Sequence, residues 1–180
     1  MTDAELVVRA VAGDAGAFTD LVARHHAACL RFAAHLLGDR IEAEDVVQET
    51  LLRAYRSLSR YQERQQFRPW LFQILVNRCR TAAGRSHARR LRTAAELTPG
   101  SAIARDGTDA YELRSRLAGA MDGLDPLHRE AFLLKLGDGL EYEEIARITG
   151  ASVPALKMRV KRARDHVRAR WEEMERDEPR

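Results

Sequence analysis

Between Ser152 and Arg170 the chain carries Lys157, Arg159, Lys161, Arg162, Arg164, Arg168 and Arg170, opposed by Asp165 alone. Ammonium and guanidinium groups at this density can donate to phosphate oxygens. Near the start of a helix seated in a DNA major groove, one can also donate to guanine O6 and N7. A second group of usable side chains is aromatic, amide and basic: Tyr61, Phe67, Trp70, Asn77, Arg78 and Arg80. These are the types that stack on an unpaired base and bond its edge. A third is acidic. Asp45 and Glu49, with Leu52 and Arg56, recur at i, i+4, i+7 and i+11, beside Gln48. Such a stripe can accept hydrogen bonds from a basic protein and offer it an apolar contact.

His25, His26, Cys29 and His35 invite a zinc reading, but only His25 and Cys29 have helical ligand spacing and no second cluster completes four ligands. No metal and no cofactor are expected, and Cys29 reads as a small core residue. No Gly-rich phosphate loop, activated nucleophile or carboxylate pair stands out. The chain therefore reads as a binding protein, not an enzyme.

The elements that would position these groups are all helical. The sequence is rich in Ala, Leu, Arg and Glu and poor in β-branched runs, which predicts an all-α chain. Gly13-Asp14-Ala15-Gly16 breaks a first helix from a second, which ends at Gly38-Asp39. A third spans 41–58, with Val47, Leu51, Ala54 or Tyr55, and Leu58 on its apolar face. Ser59–Gln66 reads as a loop. Pro69 suits the first turn of a fourth helix, predicted to run to about Ala83 and Gly84, with Phe72, Ile74 and Leu75 inward. Trp70 suits either the core or a binding face.

Composition then shifts. Thr98-Pro99-Gly100-Ser101 and Asp106-Gly107 mark a linker over 89–108 between a domain 1–88 and a domain 109–180. Its stretch from Thr93 to Thr108, about 15 residues at roughly 3.3 Å each, can span about 50 Å, more than one turn of DNA. Leu113, Leu117 and Met121 begin the second unit. Asp125-Pro126 is a start signal for a helix that Gly137 stops. Tyr142–Thr149 is a short acidic helix ended by Gly150, and a long helix follows Ser152 to about Arg170. Leu156, Val160, Ala163 and Val167 form its inward stripe, which turns Pro154, Lys157, Met158 and Lys161 outward. Two helices joined by a tight turn, the second basic, have the form of a helix-turn-helix.

The formal net charge of +3 decides little, but its distribution does. Asp39, Glu42, Glu44, Asp45 and Glu49 form an acidic block, whereas 60–92 carries many arginines against Glu63. Alternating blocks point to two partners, a basic protein and a nucleic acid. The N-terminus lacks a basic n-region, no apolar run suits membrane insertion, and the two cysteines make no disulfide framework. A soluble, cytoplasmic protein is expected.

Asp45-Val46-Val47-Gln48-Glu49-Thr50, continuing to Arg56, resembles the polymerase-binding segment of bacterial sigma factors. Phe67-Arg68-Pro69-Trp70 through Asn77-Arg78 resembles the segment that melts and reads the −10 promoter element. Leu124-Asp125-Pro126 and the helix-turn-helix resemble the domain that reads the −35 element. The two-domain layout is similar to the extracytoplasmic-function class. The resemblance implies a promoter-directing initiation factor whose partners are core RNA polymerase, promoter DNA and an anti-sigma factor. It assigns Asp45, Gln48, Glu49, Leu52 and Arg56 to polymerase. Tyr61, Arg64, Phe67, Trp70, Asn77, Arg78 and Arg80 fall to the −10 element, and Ser152, Pro154, Lys157, Met158, Arg159, Lys161 and Arg162 to the −35 element. Two departures stand out: Thr81-Ala82-Ala83-Gly84, where the family often has an acid followed by bases, and Pro154 in place of the commoner glycine- and threonine-containing form. The rival reading is a stand-alone helix-turn-helix regulator, which would leave the Asp45–Thr50 run unexplained.

Overall fold

A computed structural model describes residues 1–61, 66–92 and 109–177, and the side-chain surroundings of these except 86–92, 109–112 and 114. Every described regular element is helical. The chain divides into two compact units.

The N-terminal unit holds α1 (Asp3–Val11), α2 (Ala15–Leu37), α3 (Arg40–Ser57) and α4 (Phe67–Arg92). Local chemistry fixes the first boundaries. Thr2 and Glu5 form a capping box at α1, and Asp14 accepts from the Ala17 amide to start α2. Gly38 ends α2 at φ +72°, a conformation only glycine adopts cheaply. Asp39 then caps α3 by accepting from the Ile41 and Glu42 amides. Leu21, Cys29 and Phe32 of α2 meet Val47 and Ala54 of α3 and Leu71, Phe72 and Leu75 of α4 in one core, with the Phe32 and Phe72 rings edge-on at 5.6 Å. Leu58 is buried, as its place on the apolar face implies, but in a 3-10 turn, Leu58–Arg60, that takes in the first two residues of the expected loop. Tyr55, a candidate for the α3 apolar face, lies outside against Phe18, and Ala54 takes the inward place.

Helix α4 runs past Ala83 and Gly84 to Arg92. A lone glycine costs a helix only about 1 kcal/mol relative to alanine, and no proline or cap follows it to force a stop. Residues 89–92, expected to open the linker over 89–108, are thus helical, and its remainder, 93–108, and Arg64 lie outside the described residues.

The C-terminal unit holds α5 (Asp109–Ala120), α6 (Pro126–Phe132), α7 (Tyr142–Thr149) and α8 (Val153–Asp177). Asp125 caps α6 with Pro126 in its first turn. A π-helical segment, Leu133–Gly137, continues α6 before the chain turns at Gly139. Met121, Phe132, Leu134, Ile145, Leu156 and Val160 fill the core. Gly150 ends α7 in the left-handed region, and the Ser152 hydroxyl accepts from the Ala155 amide at the start of α8. Helix α8 continues two turns beyond the expected end at Arg170. The apolar stripe goes on through Trp171 and Met174: Arg116 of α5 sits 4.7 Å over the Trp171 ring, and Met174 lies against Gly119.

Candidate functional site

The helix-turn-helix is formed by α7, the turn at Gly150 and α8. Its second helix is oriented by burial: Leu156 and Ala163 are fully covered and Val160 nearly so. This fixes what faces water. Ser152, Pro154, Lys157, Met158, Lys161 and Arg162 are exposed, and Arg159 is half-buried on the flank. The sequence-predicted residues thus share one open surface, with ammonium groups at Lys157 and Lys161 one turn apart.

On α3, Asp45, Gln48, Leu52 and Arg56 are exposed, with Leu52 at 55%. Glu49 lies on the same helix but is turned toward the unit. Its carboxylate accepts from Arg53 one turn on, at 3.2 Å, and from Arg78 of α4. Burial works against its ionisation. The hydrogen bonds and charges of Arg78 and Arg53 outweigh it and hold the carboxyl below the ordinary value of 4.5.

Those contacts revise two assignments on the third surface. The Arg78 side chain is only 13% exposed and is committed to Glu49, so it joins α3 to α4 and does not face outward. Phe67 is 4% exposed and belongs to the core. Its ring lies among His25, Tyr61 and Trp70, at 5.4, 6.2 and 5.6 Å between centroids. Trp70 and Tyr61 are half-buried and stack edge-on at 5.1 Å, so each is packed on one side and accessible on another. Asn77 and Arg80 are exposed on α4. Gln73 and Thr81, four residues either side of Asn77, share that exposed stripe.

His25 and Cys29 line the inner face of α2, and His25 Nε2 lies 2.6 Å from Asp3 Oδ2, a hydrogen-bonding contact that ties α1 to α2. Among the described residues, no group of three or more His, Cys, Asp or Glu converges as a metal site. Nor is any described helix long and apolar enough to cross a membrane.

Comparison with known proteins agrees with this geometry. The Sigma-70 region 2 family matches residues 21–95, and Sigma-70, region 4 matches 114–167. The RNA polymerase sigma factor CarQ of Myxococcus xanthus is 36% identical over 91% of this chain and 94% of its own length. The sigma factor CnrH of Cupriavidus metallidurans is 32% identical over 93% of each. The structure of CnrH in complex with the cytosolic domain of CnrY superposes with a TM-score of 0.73 at 29% identity, over 98% of this chain and 99% of that one. Sigma factor RpoE of Bartonella quintana, solved with the anti-sigma factor NepR, gives 0.75 at 26% identity, over 84% and 94%. The chain belongs to the extracytoplasmic-function class of RNA polymerase sigma factors. It is a transcription initiation factor that acts with core RNA polymerase at promoter DNA.

Proposed function

We propose a division of that work among three surfaces. Asp45, Gln48, Leu52 and Arg56 on α3 dock on core polymerase. Glu49 supports them by orienting its helix against α4. Asn77 and Arg80, with Gln73 and Thr81 beside them and the Tyr61–Trp70 pair at the head of α4, take the −10 element. There an extruded base needs an aromatic plane and polar donors. Pro154, Lys157, Met158 and Lys161 take base edges at the −35 element, while Arg159 and Arg162 take phosphates. The domains 1–88 and 109–180 act at the two elements, and the segment between them supplies the span.

The observation that carries this reading is the orientation of α8. Its apolar stripe is sealed in the core, so the basic row has no inward alternative. The protein works in the cytoplasm, where polymerase is. CnrH is seen with the cytosolic domain of CnrY, and RpoE with the anti-sigma factor NepR. We infer an anti-sigma factor here that covers the α3 and α8 surfaces.

The test is promoter opening. With core polymerase the wild-type chain should produce a permanganate-reactive bubble near −10. Asn77→Ala with Tyr61→Ala should diminish it and leave polymerase binding intact. Tight duplex binding by the chain alone, with no opening on adding polymerase, would replace this reading by that of a stand-alone regulator.

A further inference from the structure

The ring of Tyr142, the first residue of α7, has two ammonium groups close to it. Lys135 lies 5.0 Å from the ring centre and Lys157 5.8 Å. Two cations near one ring should repel each other. A third residue removes the conflict. Glu141, the N-cap of α7, holds the Lys135 ammonium at 3.0 Å, and the Lys135 side chain is mostly covered. Glu141 is itself pinned, because its backbone amide donates to Glu144 across the capping box at 2.7 Å. Lys135 reaches this place from the π-helical segment.

With Lys135 neutralised, the ring's negative face is left to attract Lys157, which pairs with no carboxylate among the described residues. That attraction has a use. A lysine on an exposed helix face samples many rotamers, and Lys161 one turn away repels it. A side chain already gathered toward one direction loses less freedom on meeting a base.

We propose that Tyr142 is a positioning residue for base reading by Lys157, held in that role by the Glu141–Lys135 pair. This rests on the assignment of α8 to the −35 element. The ring need not touch DNA to act. Its contribution is sequence preference at the one base position Lys157 reads, and a ring without the hydroxyl should serve as well.

The experiment uses the full chain with core polymerase and a promoter library randomised over the −35 element, read by transcript abundance. Lys157→Met should reduce discrimination at one position by roughly five- to 150-fold, the span of a good base contact. Tyr142→Leu should reduce discrimination at that same position by roughly two- to fivefold, the worth of an exposed cation–π contact. Tyr142→Phe should match wild type, and Tyr142→Leu should add nothing in the Lys157→Met background. If Tyr142→Leu lowers use of all sequences alike, or acts equally in the Lys157→Met background, the proposal is overturned and the −35 assignment stands. If Lys157→Met changes no position, both fall. A readout that needs neither polymerase nor DNA is the proton spectrum of the isolated chain, in which the dispersed core methyl signals show that each variant is folded. The Lys157 ε-methylene should show an upfield ring-current shift in wild type and Tyr142→Phe that is absent in Tyr142→Leu. Its absence in wild type overturns the proposal.

Discussion

Leu156→Ala should separate the two units by stability. Leu156 is fully buried on the inward face of α8, and deleting a leucine side chain at such a site costs about 2–5 kcal/mol. A helical unit of this size rarely holds more than about 3–5 kcal/mol in all. The substitution therefore consumes most of what keeps the helix-turn-helix folded. With a urea dependence near 1 kcal/mol per molar, the unfolding midpoint should fall by about 2 M or more. The chain supplies its own reporters, since its two tryptophans fall one in each unit. In a Trp70→Phe background, Trp171 fluorescence reports the C-terminal unit alone. In a Trp171→Phe background, Trp70 reports the other. The expected result is a large shift of the Trp171 transition and an unmoved Trp70 transition. Initiation that depends on the −35 element should be lost before polymerase binding. A Trp171 midpoint within about 0.5 M of the parent would refute the packing argument. Equal movement of both transitions would refute the separation of units.

Asp45→Lys should weaken affinity for core polymerase in a binding titration without loss of helical circular dichroism, because the side chain is exposed on α3 and pairs with no cation among the described residues. Lys161→Ala should lower the slope of log affinity against log salt by about one if Lys161 meets a phosphate, and relax preference at one position if it meets a base; holoenzyme titrations at several salt concentrations distinguish these. Glu5, Asp14 and Glu49 all have carboxyls held below their ordinary values, Glu49 against the pull of burial. Lowered folded-state values mean stability that is present above the ordinary carboxyl range and lost as pH falls through the lowered values. Thermal unfolding should therefore be flat near neutrality and drop only in acid, with Glu49→Gln reducing the acid-side change. A melting temperature that rises on acidification would contradict the sign.

What the sequence shows and what it hides follow from range. Gly38-Asp39, Asp125-Pro126 and Gly150 could be placed because caps act within a few residues. The inward stripe of α8 could be placed for the same reason. The end of α8 was hidden because Glu172, Glu173 and Glu175 surround Trp171 and Met174, whose partners Arg116 and Gly119 lie far back in the chain. Arg78 could not be told from a DNA-facing cation, since its partner Glu49 is 29 residues away. Phe67 offers the same chemistry to a base as to Tyr61, Trp70 and His25, so residue type alone could not place it inside. The π segment needs a hydrogen-bond register that no residue type announces.

The length of α4 changes the arithmetic of the tether between the two units. Residues 85–92, expected outside the fourth helix, are helical. As a helix they advance about 1.5 Å per residue, against about 3.3 Å or more when extended. The reach between the two units is thereby less than an extended 85–92 would give. When one unit is already bound, the other searches a smaller volume at a higher effective concentration. Under the proposed division of the two promoter elements, a gain in avidity would come from the rigid end of a helix rather than from any added contact with DNA.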